Sequence, residues 1–101
     1  MKLIFISGPY RGNIEHNIIV ARRAAVKLWK RGFAVICPHM NSANMDGECQ
    51  DNVFLEGGLE IMRRCDAVYF LKDWESSEGS RAEYREAVRL KMELMFEALE
   101  D

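Results

Sequence analysis

Short continuous apolar runs alternate along this chain with segments in which apolar residues recur at helical spacing. Apolar side chains recur every three or four residues from about 15 to 31 and again from 54 to 65, which is the spacing of one buried face of an α-helix. A third helix is predicted from about 80 to 91. The continuous apolar runs before and between these helices are typical of buried strands: LIFIS (3–7), FAVIC (33–37) and AVYFL (67–71).

The order of these elements predicts a parallel sheet with right-handed crossovers. Residues 39–50, HMNSANMDGECQ, are predicted to form a polar loop without periodicity. The segment ELMFE at 93–97 fits either a short fourth strand or more helix. Because ligands of such sheets bind beyond the carboxyl ends of the strands, three loops are candidates for a site: 8–14, 38–50 and 72–79.

The composition excludes several classes of protein. A chain of 101 residues, 49% of them hydrophobic, is predicted to form one domain. Its formal net charge of -2 lacks the basic excess of a nucleic-acid-binding domain. No apolar run approaches the roughly 18 residues of a membrane span, and the N-terminal run is too short for a signal peptide. Three cysteines without metal-ligand spacing predict free thiols in a cytoplasmic protein and no metal site.

Glu83, in the stretch WESSEGSRAE after the third apolar run, has two interpretations. Ser80 to Glu83 matches the S-x-x-E capping box, in which the acid binds a free backbone N–H at the start of a helix. Alternatively, Glu83, Ala87 and Leu90 share the face that packs on the sheet, so the carboxylate would be partly buried beside the ligand site. The local sequence leaves both interpretations open.

The first loop, SGPYRGN at 7–13, has the features of an anion site. Two glycines flank Tyr10 and Arg11, and Asn13 is a plausible helix N-cap. Backbone N–H groups at such a turn, together with an arginine, can bind an anion. The loop matches neither the phosphate-binding G-x-x-x-x-G-K-[ST] motif nor the dinucleotide-binding G-x-G-x-x-G motif.

Four segments in order resemble the nucleoside 2-deoxyribosyltransferase-like superfamily, and most closely its short phage- and bacteria-associated branch of uncharacterised domains. They are FISGPYRG, CPHMN, RRCDAVYFL and WESSEGSRAE. The resemblance covers nearly the whole chain. It implies an α/β, flavodoxin-like three-layer sandwich with a small parallel sheet of about four strands, formed by residues 1–101 as a single domain.

The resemblance also implies residue roles. Glu83 matches the glutamate that attacks the anomeric carbon of a deoxyribonucleoside and forms a covalent glycosyl-enzyme, a chemistry that suits a carboxylate. Arg11 and Ser77 match residues that hold a 5'-phosphate in the deoxynucleoside 5'-monophosphate N-glycosidases of the superfamily. An exposed loop charge and a turn or cap serine are the structural alternatives for these two residues.

Other loop residues complete the substrate site that is expected from the resemblance. Tyr10 could lie over the sugar or be a half-exposed loop aromatic. His39 and Asn41 could meet the edge of the base, although a lone loop histidine usually has no functional role. Trp74 could cover the base or pack on the helix. Gly8 and Gly79, from the first and third loops, are the remaining substrate-binding candidates.

The chain departs from the superfamily at Gly58. An aspartate that helps to place the substrate and the leaving base normally stands there, eight residues before the acid matched by Asp66. Glu56 and Glu60 are two residues away, about 200° round the helix, so neither simply replaces it. Asp66 itself opens the third strand and is interpreted as a structural acid.

The favoured function is cleavage or transfer of the N-glycosidic bond of a deoxynucleoside or its 5'-monophosphate, without a metal or redox cofactor. One alternative, favoured by Gly58, is a non-catalytic nucleotide-binding module of the same fold. Another is a glutamate-dependent NAD glycohydrolase, although so short a chain has little room for that substrate. The expected ligand is a nucleoside or nucleotide rather than nucleic acid or membrane, and the expected assembly is a homodimer or a higher homo-oligomer.

Overall fold

A computed structural model describes residues 1–100 and contains one sheet of four parallel strands in the order β2-β1-β3-β4. The predicted parallel α/β architecture is therefore confirmed. The ambiguous segment at 93–97 contributes the fourth strand, which pairs with the third from Ala67↔Glu93 to Phe70↔Phe96. The strands are β1 (Leu3–Ser7), β2 (Ala34–Ile36), β3 (Ala67–Phe70) and β4 (Glu93–Phe96).

Four α-helices connect and follow these strands. They are α1 (Ile14–Lys30), α2 (Pro38–Asn41), α3 (Asp51–Arg63) and α4 (Glu78–Arg89). Asn13 caps α1 by accepting a hydrogen bond from the His16 N–H. Gly32, with φ of +92°, follows the end of α1 in a conformation that favours glycine. The helix α2 occupies the beginning of the segment that was predicted to be loop.

The helices cover both faces of the sheet and so form three layers. On one face, Ile4 and Ile6 of β1 pack in a core with Ala21, Ala25 and Leu28 of α1. On the other face, Phe5 and Val68 pack with Leu59 and Met62 of α3 and Ala87 of α4. Because successive strand residues point to opposite faces and both faces are buried, the strands read as continuous apolar runs.

The direction of winding reverses between β1 and β3. The chain leaves β1 towards β2 on one side, while β3 lies on the other side of β1, so the loops after β1 and β3 diverge and leave a crevice. Gly8, directly after β1, is needed for this geometry. A Cβ atom added there would lie 2.9 Å from Leu71 Cβ, closer than side chains pack.

The start of α4 differs from the expectation. The helix begins at Glu78, and its N-cap is Ser77, whose Oγ accepts a hydrogen bond from the Ser80 N–H at 3.2 Å. The capping-box interpretation of Ser80 and Glu83 was therefore wrong, and Glu83 lies in the second turn. Leu90, expected to pack on the sheet, is the C-cap and is exposed.

Within residues 1–100, no helix is long and apolar enough to cross a membrane. The same described part of the chain contains no group of three or more His, Cys, Asp or Glu side chains that could hold a metal ion.

Candidate functional site

A cavity of about 640 Å³ lies at the carboxyl edge of the sheet, where the winding reverses. Its walls come from the end of β1 and the loop after it, from α2 and the segment after it, and from the first two turns of α3 and α4. Seven of the nine predicted site residues line it: Gly8, Tyr10, Arg11, His39, Ser77, Gly79 and Glu83. Residues from three separate predicted loops thus meet at one place.

Glu83 reaches from α4 to the end of β1. Its Oε1 accepts a 2.6 Å hydrogen bond from the hydroxyl of Ser7, a side chain that is itself buried. Burial raises the pKa of the Glu83 carboxyl to about 7, and the Ser7 hydrogen bond partly opposes this rise. Near neutral pH the group therefore exists in both protonation states, which suits a general acid or base and leaves a fraction of the carboxylate available for nucleophilic attack.

Gly58 faces the same carboxyl group from α3. A Cβ atom added to Gly58 would lie 3.7 Å from Glu83 Oε2. Five residues further along α3, Arg63 donates a 2.8 Å hydrogen bond to Glu86 of α4, which holds the two helices in register. The position at which the resemblance predicts an aspartate thus lies beside Glu83, with space for a small side chain.

Tyr10 connects the first loop to the segment after α2. Its hydroxyl donates to Asp46 Oδ1 at 2.8 Å and accepts from the Asn44 N–H at 3.0 Å. Its ring contacts that of His39 edge-on, with centroids 6.0 Å apart. Tyr10 therefore forms part of the cavity wall while its hydroxyl positions the residues that close one side of the cavity.

His39 is almost fully buried in the wall, with 5% of its surface exposed. Its Nε2 lies 2.7 Å from the Pro9 carbonyl oxygen, which can only accept, so Nε2 carries the proton. Burial lowers the pKa of the imidazole and favours its neutral form. Nδ1 is then an unprotonated acceptor, and it has no hydrogen-bond partner among the described residues.

Arg11 and Ser77, the predicted phosphate ligands, both have partners in this structure. The Arg11 guanidinium pairs with the Asp51 carboxylate at 2.6 Å, and both side chains are largely exposed. The Ser77 hydroxyl is the N-cap acceptor of α4. Gly79 lies close by, since a Cβ atom there would be 3.8 Å from Ser77 Oγ. A bound phosphate would have to compete with Asp51 for Arg11.

Trp74 and Asn41 do not line the cavity. Trp74 stacks on Tyr84, with ring centroids 4.9 Å apart, and contacts Phe70 at 5.0 Å in the core beneath α4. Its position corresponds to the packing alternative rather than to a cover over the base. Asn41 is exposed at the end of α2.

Asp66 lies at the opposite edge of the sheet. Its Oδ2 accepts a 2.8 Å hydrogen bond from the Leu3 N–H at the start of β1. The structural interpretation of this acid agrees with its position, far from the cavity at the carboxyl ends of the strands.

The sequence reasoning missed Ser7, Asp46, Asp51 and Ser80. Ser7 is the last residue of β1, and a small polar residue at the end of a central buried strand was an available signal for it. Ser80 Oγ is buried without a hydrogen-bond partner among the described residues. Asp46 and Asp51 carried no such signal, because acids in polar loops and first helical turns are common.

The comparisons with known proteins agree with this architecture. A family model described as a domain of unknown function (DUF4406) matches residues 2–96, and no curated protein matches the chain. The 2-desoxiribosyltransferase from Leishmania mexicana has a similar solved structure, with a TM-score of 0.71 at 18% sequence identity. The similarity covers 95% of this chain but 63% of that protein, so the chain spans less than two thirds of its length. The predicted nucleoside 2-deoxyribosyltransferase-like fold is thereby confirmed.

Proposed function

The chain belongs to the DUF4406 family of domains of unknown function, and we propose that it cleaves or transfers the N-glycosidic bond of a deoxynucleoside or its 5'-monophosphate through Glu83. The observation that carries the proposal is the pairing of Glu83 with Ser7 inside the cavity. The Ser7 hydrogen bond holds the carboxyl group in a fixed orientation, and with a pKa of about 7 a substantial fraction of the group is the attacking carboxylate at neutral pH.

In the proposed first step, the ionised Glu83 carboxylate bonds to the anomeric carbon as the bond from that carbon to the base breaks. The electron pair of the broken bond leaves with the base, and the sugar remains as an ester of Glu83. Ser7 holds Oε1, so Oε2 is the oxygen that remains available for attack. In the second step, water or another base attacks the same carbon and releases the carboxylate.

The walls of the cavity supply the remaining parts of the proposal. Tyr10 would contact the sugar, and His39 would lie beside the edge of the base. Arg11 would release the Asp51 carboxylate and bind a 5'-phosphate in its place. No cofactor takes part in these steps.

A non-catalytic binding module is the second candidate, and Gly58 favours it. A neutral base leaves poorly unless it gains a proton, and Gly58 has no proton to donate to the leaving group at the position beside Glu83. Such a protein would bind the same ligands without releasing free base.

The proposed assembly is a homodimer or a larger homo-oligomer in the cytoplasm. Large apolar side chains that remain exposed on the described chain support it: Ile19, Trp29, Val53, Val88 and Leu90. Light scattering during size-exclusion chromatography measures the mass, and a mass of one chain at micromolar concentration would contradict it.

The test is incubation with a panel of deoxynucleosides, their 5'-monophosphates and NAD, with chromatography of the released bases. Glu83→Gln keeps the shape of the side chain but cannot form the glycosyl ester, so turnover should fall by orders of magnitude while binding persists. Glu56→Gln is the matched control, because Glu56 is an exposed acid of α3 outside the cavity. Release of base by Glu83→Gln at the rate of the unaltered protein would overturn the proposal.

A further inference from the structure

The charges around the cavity are unbalanced. Four acidic side chains line it, those of Asp46, Asp51, Glu78 and the partly ionised Glu83, whereas Arg11 is the one cationic side chain among the described residues of its wall. Arg11 is already paired with Asp51 at 2.6 Å. A ligand entering the cavity therefore meets an excess of negative charge, which disfavours anionic ligands and favours cationic ones.

Gly58 bears on how the base leaves. When a neutral base departs, the electron pair of the broken bond makes it an anion that requires a proton, and the position beside Glu83 Oε2 offers none. A base that already carries a positive charge is neutralised by the same electron pair. It departs as a stable neutral molecule without any proton donor.

The acidic wall and Gly58 point to one class of substrate. We propose that the cavity is selective for nucleosides whose base carries a permanent positive charge, such as pyridinium or N-alkylated purine nucleosides. The inference rests on the proposed function for its chemical step. In that step the Glu83 carboxylate bonds to the anomeric carbon, the bond from carbon to nitrogen breaks, and an anion and a cation become an ester and a neutral base.

The binding test uses pairs of ligands that differ in charge and little else. The 2'-deoxyribonucleoside of nicotinamide is compared with its neutral dihydro form, and 7-methyl-2'-deoxyguanosine with 2'-deoxyguanosine, by calorimetry on Glu83→Gln so that no ligand is consumed. We expect the cationic member of each pair to bind about tenfold or more tightly at low salt, with a difference that shrinks as salt is added. Equal binding of both members would overturn the inference.

Substitutions in the wall identify the source of the preference. Asp46→Asn and Glu78→Gln each remove one charge at an exposed position while keeping the shape of the side chain. Each should lower the preference for the cation by about two- to fivefold and leave the neutral ligands unaffected. Glu56→Gln removes an equal charge outside the cavity, so it should change neither the preference for the cation nor the binding of the neutral ligands. A preference that survives both wall substitutions would mean that the acids of the wall do not cause it.

Turnover distinguishes this inference from the proposed function. Rates with the unaltered protein are divided by the uncatalysed rates of the same compounds, because cationic nucleosides are less stable in water. If neutral deoxynucleosides are cleaved through Glu83 with an equal or larger acceleration, the inference fails and the proposed function stands. If cationic ligands bind preferentially and no compound releases its base, the proposed function fails, and the protein is a binder of cationic nucleosides.

Discussion

Ser7 and Glu83 are 76 positions apart in sequence, yet the Ser7 hydroxyl donates a 2.6 Å hydrogen bond to Glu83 Oε1. The contact joins the end of the central strand β1 to the second turn of α4, at the point where the winding of the sheet reverses. A buried carboxyl group without such a donor would be protonated over a wider pH range. Ser7 therefore adjusts the ionisation of Glu83 and fixes which of its oxygens faces the cavity.

The pH dependence of bond cleavage should follow the ionisation of Glu83. Because the attacking form is the carboxylate, the rate should rise with pH and level off above a midpoint of about 7. Ser7→Ala removes the hydrogen bond that favours the charged form, so the midpoint should move upward by about one pH unit. Initial rates of base release between pH 5 and 9 measure both midpoints. An unchanged midpoint in Ser7→Ala would mean that Ser7 does not control the carboxyl group.

Glu83 should also destabilise the folded protein at neutral and alkaline pH. Its pKa is about 7 when folded, against 4.5 for an unperturbed carboxyl. Between these values the unfolded chain has released the proton that the folded chain retains, so this group lowers stability as pH rises through the window. Glu83→Gln removes the effect and should raise the free energy of unfolding at pH 8 by on the order of 1–3 kcal/mol.

Urea unfolding at pH 4 and pH 8 measures this difference. At pH 4, Glu83 is protonated in the folded protein, so Glu83→Gln should differ little from the unaltered chain. Glu56→Gln, at an exposed site, should change little at either pH. A loss of stability in Glu83→Gln at pH 8 would identify the carboxylate as a structural group.

The layers of the fold could be predicted because a strand that is buried on both faces has a continuous run of apolar residues in the sequence. The runs at 3–7 and 67–71 are continuous for that reason. The start of α4 was misplaced because Ser77 and Ser80 have the same capping chemistry. The three-residue turn Trp74–Ser76 places Ser77 in the extended conformation that an N-cap requires, and no local pattern shows that choice.

The sequence predicted which loops form the candidate site, but it did not predict which side chains contact each other there. The pattern located the carboxyl ends of the strands, and the resemblance indicated Glu83. The pairing of Arg11 with Asp51 joins residues 40 positions apart, and Trp74 packs on Tyr84 rather than towards the cavity. These side-chain contacts depend on how α3 and α4 pack on the sheet, and the sequence of either helix alone does not determine that packing.

Asp51→Asn should strengthen the binding of 5'-monophosphates. It releases Arg11 from an exposed ion pair that itself contributes about 1 kcal/mol or less to stability, so folding should be little affected. The freed guanidinium can then bind phosphate, and affinity for deoxynucleoside monophosphates should rise about five- to tenfold at low salt. Calorimetry on Asp51→Asn, with and without Arg11→Ala, measures the gain. If the affinity still rises when Arg11→Ala is also present, the gain comes from the loss of repulsion between Asp51 and the phosphate rather than from Arg11.

Gly58→Asp should increase the cleavage of substrates with neutral bases. The added side chain begins 3.7 Å from Glu83 Oε2, so the introduced carboxyl can reach a leaving base and donate a proton to it, an effect of about 10-fold or more. Two neighbouring carboxyls cannot easily ionise together, so one of them should stay protonated and the pH profile should become bell-shaped. Nucleosides with cationic bases need no proton and should gain nothing.

Two controls separate proton donation from other effects of filling this space. Gly58→Asn has nearly the same shape as Gly58→Asp but no proton of comparable acidity, so it should not accelerate cleavage. Gly57→Asp adds the same charge at an exposed neighbouring position with nothing within 4 Å of the new Cβ, and should leave rates unchanged. Circular dichroism checks that each variant folds. Equal acceleration by Gly58→Asp and Gly58→Asn would show that position 58 acts by packing, and acceleration of cationic substrates alone would contradict the role of a missing proton donor.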